Sequence, residues 1–288
     1  MNHKQFYLLT DTSIICSYLV SKWIKTFRNF PGFQGVLVKE QVPSENVLQV
    51  RNRFHAQYSG QNQLSDEMYQ TLTDLYPDRD QTEQAMIKGY GIAPYSATGY
   101  DKTIFLGDNL NGAYAKEWLM EASRKSPPMI FVCATQILKS WWIEMTQSQL
   151  FNCHTAVLPY ARGMYAIENI AILQDIDQFS RAAGTTIHYV DSGVDTGAII
   201  KAQRIINPFQ FDSIWDLKAY TYVMEFDLYV KTAQEILIDR QTLPAGIYPN
   251  PELQGPNFRI KDFTPEKQTQ AEQSYLLMKS SIKQTIID

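Results

Sequence analysis

The sequence predicts an α/β fold, a mostly parallel sheet with helices on its faces, followed by a helical and loop-rich C-terminal extension. Three observations carry this reading. Phe6 to Thr10 and Met129 to Ala134 are short unbroken apolar runs, the pattern of strands buried on both faces. Ile15, Leu19, Trp23 and Phe27 recur at helical spacing directly after the first run. Gln34 to Val38 then supplies a second strand, completing a strand-helix-strand unit.

The elements follow in order. Asp11-Thr12-Ser13 is a polar turn that opens the first helix. Residues 43–100 read as a solvent-facing insertion, with polar helices over Val47 to Tyr58 and Ser65 to Leu75 and then Pro, Gly and Tyr punctuation through Tyr90 to Tyr100. Its Gly89-Tyr90-Gly91 follows no strand and precedes Pro94, so it is not a dinucleotide fingerprint, and a nicotinamide dehydrogenase is remote. Thr103 to Leu106 is a third strand, and Gly112 to Ser123 a helix with Trp118, Leu119 and Ala122 inward. Pro127-Pro128 ends that helix and delivers the chain into the fourth strand. Ile137 to Trp142 is a turn and short helix. Beyond Asn207, Asp212 or Ser213 caps a long helix with Leu217, Tyr220, Met224 and Leu228 on one side. The chain turns loop-like from Thr242 and closes on a helix over Phe263 to Met278.

Composition narrows the function. The 288 residues are 44% hydrophobic, enough for a substantial core. A net charge of −4 argues against a protein built to hold nucleic acid. Cys16, Cys133 and Cys153 lie in apolar sequence without paired ligand spacing, which predicts buried free thiols in a reducing compartment and no metal. No apolar run reaches the roughly 20 residues of a membrane helix, and the N-terminus lacks a cleavage pattern. The expectation is a cytoplasmic protein without a membrane partner.

Chemistry concentrates between Leu150 and Ile200. In an extended segment Asn152 and His154 share a face while Cys153 points the other way. An amide NH2 beside an imidazole can donate two hydrogen bonds to a carbonyl oxygen that gains negative charge, and the imidazole can move protons near neutral pH. An isolated Asn-x-His is more often strand-end hydrogen bonding. Asp195, in the turn Asp191-Ser192-Gly193-Val194-Asp195-Thr196-Gly197, offers the missing carboxylate, which would favour a charged His154. With no Gly-x-Ser-x-Gly elbow, the chemistry is acyl transfer without a covalent enzyme intermediate.

Phe151-Asn152-Cys153-His154, Leu158-Pro159-x-x-Arg162-Gly163, Gly184-Thr185-Thr186-Ile187-His188 and Asp195-Thr196-Gly197-x-Ile199-Ile200 together resemble the folate-dependent formyltransferase family. The resemblance is good over Met129 to Gln203 and covers Phe6 to Val38 only by its strand-helix-strand pattern. It implies a Rossmann-like formyltransferase catalytic domain over residues 1–207, with about 43–100 as a variable insertion, and an extension over 208–288. It implies formyl transfer from N10-formyltetrahydrofolate, a co-substrate, to a primary amine. In that reading Asn152 and His154 stabilise a tetrahedral oxyanion, and Asp195 orients His154 and relays a proton through water. A pterin pocket is implied at Gln136, Ile137 and Leu138 and at Val190, Asp191, Ser192, Gly193 and Val194, largely through backbone. His188 falls beside the site, and Arg162, Met164 and Tyr165 fall on the acceptor side.

Thr155-Ala156 stands where many relatives have Pro-Ser, and Asp175 to Ala183 looks longer than usual. The turn at Thr10-Asp11-Thr12-Ser13 lacks the glycine-rich phosphate cradle of the glycinamide ribonucleotide enzymes. Arg162-Gly163-Met164-Tyr165 resembles formyltransferases acting on nucleotide-linked amino sugars, so the predicted partner is such a sugar or a similar small amine. The acidic charge weakens a tRNA acceptor, and the resemblance implies a homodimer paired through C-terminal elements. A formyltetrahydrofolate hydrolase and a non-catalytic folate-binding module are the alternatives.

Overall fold

A computed structural model describes residues 4–238 and 243–285. Thr242, where the sequence reading starts its C-terminal loop, lies outside them. The chain forms two compact units, residues 1–152 and 153–288.

The first unit begins with β1 (Phe6–Thr10), buried along its whole length because neighbours flank it on both edges. The helix α1 (Ile14–Phe27) follows, capped by Ser13, whose side chain accepts from the Cys16 amide. Its apolar stripe buries Leu19, Trp23 and Phe27, and the Phe27 ring meets Phe6 edge-on at 5.6 Å. β2 (Phe33–Val38) pairs parallel with β1.

Residues 43–100 contain α2 (Glu45–Tyr58), α3 (Asp66–Leu75) and α4 (Gln81–Tyr90). The third helix is not among those the sequence predicts: Asp80 and Glu83 form a capping box, and Gly89-Tyr90-Gly91 ends the helix. Glycines at its end hid a helix that Asp80-x-x-Glu83 marks at its start. The segment is also not simply solvent-facing. Phe54, His55, Leu72 and Met86 are buried, and the Glu83 carboxylate accepts from the Ile14 amide, tying α4 to the start of α1.

β3 (Thr103–Phe105), α5 (Ala113–Ala122), β4 (Met129–Cys133) and α6 (Ser140–Met145) then lead to β5 (Leu150–His154). Of the residues expected inward on α5, Leu119 is buried whereas Trp118 and Ala122 are half-buried. Cys133, expected in the core, is also half-buried because it ends its strand. β1, β2, β3, β4 and β5 form the parallel ladders of a Rossmann-like sheet.

In the second unit β6 (Arg162–Gly163), α7 (Ala166–Ile172), α8 (Ile176–Ala182), β7 (Gly184–Tyr189), β8 (Ile199–Arg204), α9 (Ile214–Ile238), β9 (Asn257–Phe258) and α10 (Pro265–Thr285) follow. The seven-stranded order is β3-β2-β1-β4-β5-β7-β8, with β7 and β8 antiparallel. The Asp175 to Ala183 segment is α8, capped by the Asp175 carboxylate. β6 and β9 pair separately, so the C-terminal segment returns to Arg162-Gly163 instead of trailing as a tail. On α9 the expected stripe is shifted: Tyr220 is 38% exposed while Lys218 and Glu225 are buried. Among the described residues no helix is long and apolar enough to cross a membrane.

The buried His55 shows how this helical segment is held. Its Nδ1 lies 2.7 Å from the Ala93 carbonyl and its Nε2 2.7 Å from the Tyr76 hydroxyl, contacts that a neutral imidazole satisfies completely. Burial pushes its pKa down to about 4, against the Ala93 contact, with Arg51 adding to the depression. Because the native group binds its proton later than the unfolded one, stability rises with pH between about 4 and 6.5. His55→Gln should lessen that slope by about 1.4 kcal/mol per pH unit in the window. Urea unfolding of both proteins from pH 4.5 to 7 measures it, and parallel curves would refute the assignment.

Candidate active site

β5 sets the first two groups. Strand alternation places Asn152 and His154 two apart on one face, with Asn152 half-buried and His154 7% exposed. β7 lines the backbone after them through two threonines. Thr185 Oγ1 donates to the His154 carbonyl at 3.1 Å; Thr186 Oγ1 donates to that of Ala156 at 2.9 Å and accepts from the Leu158 amide at 2.9 Å. The segment leaving β5 is therefore fixed by hydroxyls of the neighbouring strand.

Asp195 enters from the loop between β7 and β8 with φ at 52°. The loop is closed by Asp191, whose carboxylate accepts from the Gly193 amide at 3.0 Å and from the Thr196 hydroxyl at 2.7 Å. At its end Gly197 runs against Tyr189; a Cβ there would lie 1.8 Å from the Tyr189 carbonyl oxygen.

Two imidazoles flank the Asp195 carboxylate. His154 Nδ1 is 3.6 Å from Oδ2 and His188 Nε2 is 3.5 Å from Oδ1. The Gly163 amide donates to Oδ2 at 2.7 Å. Burial alone would raise the Asp195 pKa, but His154, His188 and the Gly163 amide outweigh it and hold the carboxyl well below the usual range. For His154 burial dominates and lowers the pKa; Asp195 opposes it, His188 adds to it, the Ala161 carbonyl opposes it and Lys218 adds to it. The resting pair is thus a carboxylate beside a neutral imidazole.

The surroundings of His154 nevertheless suit a cation. Nε2 lies 3.1 Å from the Ala161 carbonyl, and Nδ1 faces Asp195. Both neighbours only accept, so both ring nitrogens can donate to them only in the imidazolium. A proton arriving at His154 finds its acceptors already in place.

The other predicted residues fall as follows. His188 is 2% exposed, with Nδ1 2.8 Å from the Tyr189 carbonyl, so it braces Asp195 from inside the strand. Arg162 is half-buried and reaches the Gly255 carbonyl at 3.5 Å. The Met164 amide donates to the Phe258 carbonyl, and Tyr165 stacks on Phe263 at 4.4 Å, so this stretch is bound to the C-terminal segment. In the first unit the Gln136 amide bridges Leu110 N and Asn109, and the Ile137 carbonyl accepts from Asn111. Ile137 is 65% exposed and Leu138 is buried. Val190 to Val194 is a half-exposed to exposed run offering backbone groups.

Sequence reasoning missed the Gly163 amide as a ligand of Asp195. The signal was the glycine itself: at φ 81° with a Cβ site 2.0 Å from the Phe258 carbonyl oxygen, no side chain fits. It also missed the buried Lys218 on α9.

An open Rossmann-like sheet thus carries an Asn-x-His strand end, with an Asp loop between β7 and β8. Residues 109–232 match the formyl transferase family model. A methionyl-tRNA formyltransferase from Albidiferax ferrireducens is 32% identical over 95 residues, covering 33% of this chain and 27% of that protein. A phosphoribosylglycinamide formyltransferase from Bacillus subtilis is 30% identical over 89 residues, covering 31% of this chain and 43% of that one. The chain thus spans less than half the length of these curated relatives. Among solved structures, a sugar N-formyltransferase from a Shewanella species aligns with TM-score 0.54 and 11% identity over 94% of this chain and 88% of that one. An N-formyltransferase from Helicobacter canadensis, in complex with folinic acid and dTDP-3-aminofucose, aligns with TM-score 0.50 and 16% identity, covering 92% and 78%.

Two predictions follow from Asp195 and its neighbours. The depressed Asp195 pKa contributes stability that is fully present above the unfolded value near 4 and is lost as pH falls through the native one. Asp195→Asn should therefore lose less stability than the parent between about pH 4 and 2, read by acid titration of circular dichroism. Gly163→Ala, forced against Phe258, should lower Tm by several degrees; an unchanged Tm would contradict the close approach.

Proposed function

We propose that this protein transfers a formyl group from N10-formyltetrahydrofolate to a primary amine on a small molecule, a nucleotide-linked amino sugar by preference. The observation that carries the reading is the buried Asp195 carboxylate, held between His154 and His188 and tied to the Gly163 amide, one strand-end away from Asn-x-His. The sugar preference draws on the Arg162 to Tyr165 stretch and on the kind of protein found among the structural neighbours.

For the donor, the second unit offers the loop from Val190 to Val194, half-exposed to exposed along its length. When bound, the donor supplies an activated formyl carbon. The protein's residues do the rest. Asn152 donates to the oxygen that becomes anionic as the amine adds, and His154 adds its Nδ1–H to that stabilisation only once it has taken up a proton. The amine must lose a proton as its nitrogen bonds to carbon. His154 takes it as a neutral base, and the resulting imidazolium is stabilised by Asp195 and by the Ala161 carbonyl. The departing nitrogen of the donor gains a proton as its bond to carbon breaks, and the pair returns to its resting charge. Residues 1–207 would form the catalytic part, and the stretch from Arg162 to Tyr165, bound to the C-terminal segment, the acceptor side.

Asn152→Ala, His154→Ala and Asp195→Asn should each reduce turnover by about 10²- to 10⁴-fold with the fold intact. Mass spectrometry of a panel of amines incubated with N10-formyltetrahydrofolate, scored for the gain of one carbonyl, measures it. Full activity in His154→Ala would sink the mechanism. Formate release without any acceptor would make the protein a hydrolase, and folate binding without turnover a binding module.

A further inference from the structure

Behind His154 the second unit buries a charge that the reaction as described does not use. Lys218 of α9 is 2% exposed. Its ammonium donates to Thr155 Oγ1 at 2.8 Å and to Glu168 Oε2 of α7 at 3.1 Å, and lies 5.4 Å from the centre of the Tyr222 ring. Glu168 is 1% exposed, so the ion pair is wholly desolvated. Such a pair is a poor way to gain stability, because desolvating two charges cancels most of their attraction and well-packed apolar residues do as well. Its position suggests another use. Thr155 is the residue directly after His154, and it is the only one of the two with a side chain bonded to α9.

We propose that Lys218 is a positioning residue for His154: by clamping Thr155 it fixes where the imidazole sits, and Glu168 is the counter-charge that allows an ammonium in that place. The proposal rests on the formyl-transfer reading for its kinetic consequences but not for its geometry. The Thr185 and Thr186 hydroxyls hold the backbone carbonyls of this turn from the β7 side, and Lys218 holds its side chain from the helix side. The turn is thereby gripped from both faces. Lys218 also opposes protonation of His154. The charged and titratable groups that act on that ring are Asp195, His188 and Lys218, with Glu225 further along α9 near Cys153.

Four variants test it on the full chain. Lys218→Met leaves Glu168 buried without a counter-charge and should lower Tm; Lys218→Met with Glu168→Leu removes both charges and should recover Tm. Thr155→Val removes the clamped hydroxyl, whereas Thr155→Ser keeps it. The double variant and Thr155→Val should fold, lose about 10- to 100-fold in kcat with KM for donor and acceptor within about twofold, and Thr155→Ser should retain kcat. Nitrogen NMR should show the His154 titration displaced in the double variant, because the ring is no longer held where Asp195 and the Ala161 carbonyl meet it. A double variant with parental kcat and an unmoved His154 titration would overturn the proposal. If the parent formylates no amine yet the His154 titration moves, the positioning stands and the formyl-transfer reading falls.

Discussion

A carboxylate buried between two imidazoles is the constraint around which the second unit is arranged. Asp195 cannot be withdrawn from water as an anion unless donors meet it, and the structure supplies three from separate places in the chain: β5 through His154, β7 through His188 and β6 through the Gly163 amide. Each donor imposes its own requirement. Gly163 has to be glycine because Phe258 of β9 lies against it, so the C-terminal segment is bound into the site's geometry. The loop bearing Asp195 has to turn tightly, which Asp191 enforces by accepting from Gly193 and Thr196. Elements distant in sequence are thus made interdependent by one desolvated charge.

The same charge explains the unusual surroundings of His154. Burial and neighbouring positive groups favour the neutral ring, while the acceptors on both of its nitrogens suit only the protonated one. A residue caught between these demands costs little to protonate transiently and little to return, which is what a proton carrier near neutral pH needs. A surface histidine, solvated in both states, would have no such fixed acceptors.

Much of this was legible in the sequence. The strand-helix-strand opening could be read because β1 is buried along its whole length and α1 repeats its apolar residues at helical spacing. The pairing of His154 with Asp195 could be inferred from a strand end and a glycine-flanked turn. The illegible parts share a physical cause: they depend on contacts between residues far apart in sequence. Nothing local to Gly163 says that its amide binds a carboxylate 32 residues away. α4 was obscured by glycines at its C-terminal end, although its capping box was written in Asp80 and Glu83.

α9 is the sharpest case. A helix reader sorting residues by polarity assigns Lys218 and Glu225 to solvent and Tyr220 to the core, and the structure inverts all three. The inversion is consistent only because partners from other elements meet the buried groups: Thr155 and Glu168 at Lys218, and Cys153 beside Glu225, whose carboxyl burial pushes up to about 7. A carboxyl so displaced spends much of its time neutral at physiological pH, so the cluster behind His154 carries less negative charge than its formula suggests. The Lys218 ammonium, matched by Glu168, adds to the larger effects of burial, Asp195 and His188 on the imidazole, so the identity of one helix residue matters to a ring on a neighbouring strand.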